Sequence, residues 1–190
     1  MQCLIKKYDT SLQYYWKYYN IVPKIEDADT VLTRIGDLYL KKGEVPYAKK
    51  MYLYVATKYP DKEGGLIAKM RLAEEGIYDE PTVKDMFTVF DRPYNLRPVK
   101  IYTEIVSKHP KSPLAPLAQL KLSMWYLWKK DYQDSLKAVK KFYQMFPDSE
   151  LKQKAMEVGY VALNSIIKKA IKDNMYTLIL SMWDKYNFFA

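Results

Sequence analysis

Apolar residues recur along this chain at intervals of three and four. Between positions 30 and 60 they fall at Leu32, Ile35 and Tyr39, and again at Ala48, Tyr52 and Val55. That spacing puts each set on one face of a helix. Two helices are predicted, 31–42 and 46 or 47 to 58, with Asp29 or Thr30 capping the first. Gly36 and Ala48 are small where two antiparallel helices would cross closely. Ile35, Tyr39, Tyr52 and Val55 are large and would fill the space around the crossing. Gly43 can take the left-handed conformation that ends the first helix. Pro60 stops the second. No stretch alternates with the period of two that a half-buried strand needs. The pattern therefore predicts an all-α structure of about nine or ten helices with no sheet.

The same punctuation recurs elsewhere. Pro23 and Pro60 stand 37 residues apart, as do Pro110 and Pro147. Before Pro23, residues 11–22 read as the second helix of a pair whose first helix would have to precede it. Only ten residues are there, so the chain is expected to be cut from a longer array. Tyr8, Tyr14, Tyr15, Trp16, Tyr18 and Tyr19 crowd this segment. They suit a stacking platform for a sugar or peptide, or a helix packed between two neighbours. After Pro60, Gly64-Gly65 predicts a turn and 66–78 a helix. Pro60 and Pro110 lie 50 residues apart, and the surplus falls within 79–96, which holds Pro81 and Pro93. One extra short helix at 82–90 fits there, as a surface insertion or a binding element. Next come a helix at 98–108, with Tyr102 and Ile105 inward, and one at 114–130, capped by Ser112 with Pro113 behind it. The second of this pair runs from 132 or 134 to 145. Ser149 caps a final pair, 151–171 and 174–186, with Ala162, Ile166, Leu178 and Trp183 among its apolar positions.

Together these motifs resemble the tetratricopeptide repeat, a two-helix unit of about 34 residues. The resemblance covers about 11–186 and is most specific at 30–60 and 114–147. It divides a single array of 1–190 into a truncated repeat with its second helix at 11–22, a repeat at 30–60, one at 61–110 with an insertion near 79–96, one at 111–147, and a divergent terminal pair at 148–190. The junctions Tyr59-Pro60-Asp61, His109-Pro110-Lys111-Ser112 with Ala115 and Ala118, and Phe146-Pro147-Asp148-Ser149 are similar in style to bacterial envelope proteins of this family, the outer-membrane-protein assembly lipoprotein and the Tol-associated periplasmic protein. The resemblance implies an α-solenoid of antiparallel helix pairs in a right-handed superhelix. It implies protein or peptide binding without catalytic residues or cofactors, and a setting in the bacterial cell envelope or periplasm. A cytoplasmic setting stays open.

In such an array the first helix of each repeat lines a concave groove. The corresponding positions are Thr33, Asp37 and Lys41, then Ile67, Met70, Glu74 and Tyr78, then Leu117, Leu120, Met124, Leu127 and Trp128. The lysine and asparagine set that clamps a C-terminal carboxylate in related chaperone adaptors is absent, since Thr33 and Asp37 stand in those slots. The groove grows more apolar along the chain, which suits an amphipathic helix or an extended hydrophobic peptide. A helix as apolar as 114–130 must be covered on both sides. The cover is the last helix pair, a second copy of the chain, or a partner.

Charge adds an alternative. The net charge is +9. Only Arg34, Arg71, Arg92 and Arg97 are arginines, and the lysines come in pairs such as Lys140-Lys141 and Lys168-Lys169. Base readout favours arginine, and lysine pairs are ordinary on solvated helix ends. This weighs against nucleic acid and leaves room for an acidic protein or lipid surface. A glycan- or nucleic-acid-binding module is the alternative function, resting on the tyrosine-rich first helix and the basic surface. Cys3 is the only cysteine and can form neither an internal disulfide nor a metal cluster; lipobox residues do not precede it. His109, the only histidine, occupies the register of Tyr59 and Phe146, which predicts an aromatic filler. No nucleophile–base pair, Gly-rich phosphate loop or metal set is visible. No apolar run reaches 18 residues, so no membrane-spanning helix is expected. Residues 1–7 carry no signal-peptide core. The reading is a non-catalytic interaction scaffold.

Overall fold

A computed structural model describes residues 2–21, 26–74 and 98–186. Among them lie nine helices and no strand. These are α1 (Gln2–Ile21), α2 (Ala28–Lys41), α3 (Val45–Lys58), α4 (Glu63–Glu74), α5 (Pro98–Lys108), α6 (Ala115–Trp128), α7 (Tyr132–Met145), α8 (Lys152–Lys172) and α9 (Tyr176–Tyr186). The all-α class predicted from the sequence holds. Two compact units are formed, the first containing α1–α4 and the second α6–α9, with the division falling inside α5. The insertion at 79–96, the short helix at 82–90 and Tyr78 lie outside the described residues.

In the first unit α2 packs on α3, α4 packs on both, and α1 packs on α2. The core joins Leu12 of α1, Val31, Leu32 and Ile35 of α2, Ala48, Tyr52 and Val55 of α3, and Ala68 of α4. Each large apolar side chain fully buried here contributes about 1.5–3 kcal/mol. α1 begins well before position 11, where the sequence reading started it. No proline or glycine interrupts 2–21, and Asp9 ties the early turns to Lys42 at 2.7 Å.

Two further expectations are corrected. Gly64-Gly65 is not a turn; it lies in the first turn of α4. A Cβ on Gly64 would collide with the Asp29 carbonyl, and one on Gly65 with the Tyr59 carbonyl. The glycines let the start of this helix lie directly on other backbone. The cap position of α2 belongs to Asp27, without a side-chain cap bond. Asp29 instead accepts the Gly64 N–H at 2.8 Å, while Thr33 Oγ1 donates to the Gly64 carbonyl at 3.0 Å. The Asp29 carboxylate thus sits at the positive end of α4.

In the second unit α6, α7 and α8 pack in the same way, and α9 adds to α8. Leu136, Val139, Phe142, Ala155, Val158 and Ala162 are buried there. Ser112 and Ser149 act one step earlier than predicted, accepting the N–H groups of Leu114 (3.2 Å) and Leu151 (3.3 Å) in the turns before α6 and α8.

Two turns recur. After α2, Gly43 has φ +82°; after α6, Lys130 has φ +63°; after α8, Asn174 has φ +56°. Each N–H bonds a carbonyl three residues back, and the next N–H reaches five back: Glu44 to Tyr39 (2.9 Å), Asp131 to Tyr126 (3.0 Å), Met175 to Ala170 (2.8 Å). This is the Schellman ending of a helix. The second turn follows α3, α5 and α7. Tyr59, His109 and Phe146 each donate to a carbonyl four residues back and accept from the N–H three residues on. His109 therefore takes the same backbone position as two aromatic residues, as its register predicted.

Candidate functional site

The predicted groove residues of the first unit mostly turn inward. Asp37 is buried and accepts from Tyr52 Oη of α3 at 2.7 Å, Arg71 Nε of α4 at 3.2 Å and Arg34 Nη1 at 3.3 Å. Arg71 is only 3% exposed. One carboxylate of α2 therefore fastens both neighbouring helices, with charge-assisted bonds that are stronger than neutral ones. Thr33 is committed to Gly64. Met70 and Glu74 are buried, Ile67 is half-buried, and Lys41 is exposed. Tyr78 falls outside the described residues.

In the second unit Leu117, Leu120, Met124 and Leu127 are all buried within this chain. Trp128 is half-buried, with Lys129 Nζ 4.7 Å from the centre of its ring. Of the covers weighed for α6, the chain supplies its own: α6 packs against both α7 and α8.

Two other features have the shape of sites. The first is a cleft of about 580 Å³ in the second unit, where α7 begins and α8 gives way to α9. Its apolar lining is Ile166, Ala170, Met175 and Leu178, and Lys130, Asp131, Lys137, Lys169 and Asp173 are among its charged lining residues. Met175 is exposed and Leu178 half-buried. Lys137 is paired with Asp134 at 2.8 Å, which raises its pKa.

The second is an aromatic seam in the first unit. Tyr47 of α3 stacks on Tyr39 of α2 with centroids 5.5 Å apart. Trp16 Nε1 of α1 donates to Tyr39 Oη at 3.3 Å. Trp16 meets Tyr19 edge-on at 6.0 Å. Burial, and then the neighbouring Tyr54 of α3, raises the pKa of Tyr19. Lys58 Nζ donates to Tyr54 Oη at 2.7 Å and lies 5.4 Å from the centre of the Tyr59 ring. The sequence showed the α1 tyrosines but gave no means of joining them to Tyr39, Tyr47 and Tyr54, because the link is tertiary.

Helix pairs closed by a Schellman turn, with α3 packed on α4 and α7 on α8, define a helix-pair repeat. Residues 30–62 match a family model described as a tetratricopeptide repeat. The match takes in most of α2, all of α3 and the turn that leads into α4. No curated protein matches the chain. Tetratricopeptide repeats generally mediate protein–protein interactions.

Proposed function

We propose that this chain is a non-catalytic scaffold that binds a helical or extended peptide segment of a protein partner. The observation that carries this reading is the open cleft between α7, α8 and α9. A lining that joins Ile166, Ala170, Met175 and Leu178 with charged residues of both signs suits a peptide with both apolar and polar side chains. The buried state of Thr33, Asp37, Leu120 and Met124 moves the proposed contact away from those first-helix residues and toward this cleft. The junction style around Tyr59-Pro60, His109-Pro110 and Phe146-Pro147 supports a place within a bacterial envelope protein, tested by fractionating cells that carry it.

The binding test is a diverse peptide library panned against the full chain, with hits checked by the rise in melting temperature that ligand binding produces. Met175→Glu with Leu178→Glu is expected to abolish binding while leaving the fold intact, since neither side chain is fully buried. A library without a single stabilising peptide counts against the scaffold reading. Oligonucleotide binding that weakens steeply with salt would favour the alternative, a nucleic-acid module.

A further inference from the structure

The exposed faces of α1 and α3 in the first unit combine the aromatic seam with a one-sided charge. Lys6, Lys7, Lys17, Lys50 and Lys58 are all exposed. The only acid on these two helices is Asp9, and Lys42 holds it at 2.7 Å. Tyr14 is 69% exposed and Tyr54 44%. On the α3 side of the seam the ring faces are partly taken. Tyr39 and Tyr47 cover each other, and Lys58 lies over Tyr54 and Tyr59 at 5.1 and 5.4 Å. What these residues offer outward is ammonium groups and phenol edges. Tyr54 shows the consequence. Its oxygen accepts from Lys58, which lowers its pKa. The proton it still carries is available to an incoming oxygen.

We propose that the exposed face of α1 and α3 is a docking surface for an acidic segment of a protein partner, its carboxylates seated on Lys50, Lys58 and the Tyr54 hydroxyl. Charge complementarity selects the partner's sign. At the seat itself the Lys58 ammonium lies over the Tyr54 ring, which favours a carboxylate there over a nucleobase that would stack on that face. The proposal rests on the reading of the chain as a protein-binding scaffold and adds a second surface with a defined chemistry.

The test is fluorescence anisotropy on the full chain with a labelled glutamate–alanine peptide, the matching glutamine–alanine peptide and a thymidine oligonucleotide. The acidic peptide is expected to bind, more tightly at low salt, and the neutral one not. Lys50→Gln with Lys58→Gln should weaken binding about tenfold, and Tyr54→Phe about threefold. The control is Lys168→Gln with Lys172→Gln, which removes the same charge from exposed positions of α8 and should leave binding unchanged. Equal loss in the control would overturn the proposal, since bulk charge would then explain the binding. So would an oligonucleotide that binds more tightly than the peptide and displaces it. If library peptides still stabilise the chain through the α7–α9 cleft while the acidic peptide does not bind, this proposal fails and the scaffold reading stands.

Discussion

The pair α2–α3 and the pair α6–α7 have the same helix lengths and the same connecting turn, 87 residues apart in register. Tyr39 matches Tyr126, Gly43 matches Lys130, and Pro60 matches Pro147. Their interiors differ. Asp37 and Tyr52 in the first become Met124 and Val139 in the second, and Gly36 and Ala48 become Ser123 and Ser135. A methyl on Gly36 would come within 2.7 Å of the Tyr52 ring, so the large tyrosine requires the glycine. With valine in its place, the second pair carries a serine at that position. Ser135 Oγ then donates to the Ser123 carbonyl at 3.0 Å, and Gln119 Nε2 to the Ala138 carbonyl at 2.8 Å. One backbone plan accepts different interiors, with Asp37 and Tyr52 at two positions of one pair and Met124 and Val139 at those of the other, provided volume and polar partners change together.

Removing the charged core tests this most severely. Asp37→Ala takes the carboxylate away from buried Arg71 and Tyr52 and should cost about 3–5 kcal/mol, measured by urea unfolding of the first unit's signal. Asp37→Leu with Arg71→Met should recover most of that loss, because an apolar pair of similar volume is often as stable as a buried ion pair. A double variant as unstable as the single one would show that the polar junction is needed for more than pairing. In the second pair, Met124→Ala should cost about 2–4 kcal/mol through the cavity it leaves. A loss below 1 kcal/mol would mean that the site collapses and that α6 is less tightly packed than its burial suggests.

Most of this plan was legible in the sequence. The intervals of three and four gave every described helix, and the proline spacing gave the register. The errors share one cause. Gly64-Gly65 looked like a turn because local chemistry favours one. Only the approach of the Asp29 and Tyr59 carbonyls explains glycine within a helix. Asp29 looked like a cap for its own helix, yet it serves α4. A family pattern of groove positions does not reveal that Thr33 and Asp37 also bond to neighbouring helices. Arg71, 34 residues from Asp37, could not be placed beside it by periodicity alone.

The two ways of capping the following helix give a smaller test. α4 is held by Asp29 from across the helix pair, whereas the turn before α8 is held by Ser149 from within its own segment. Asp29→Ala should cost about 1–2 kcal/mol, because it removes a charged acceptor from a helix start. Ser149→Ala should cost about 0.5–1 kcal/mol. Hydrogen exchange at the first amides of α4 and α8 reads each loss separately. Equal effects would mean that the distant carboxylate adds nothing beyond a local cap.

The smallest effect concerns the turn that both pairs share. Gly43, Lys130 and Asn174 hold the same left-handed conformation with three different side chains. A residue with a Cβ is strained there by roughly 1–2 kcal/mol, least so for asparagine. Glycine removes that strain but loses about 0.5–1 kcal/mol of extra freedom on folding. The two terms leave a net gain of about 0.5 kcal/mol for Lys130→Gly and about zero for Asn174→Gly. The reverse change, Gly43→Lys, should cost about as much as Lys130→Gly gains. Urea midpoints of the three variants measure this directly. A loss at position 130 would mean that the lysine side chain, in the lining of the α7–α9 cleft, contributes more than its backbone costs. The chain would then have kept a strained lysine there for its charge.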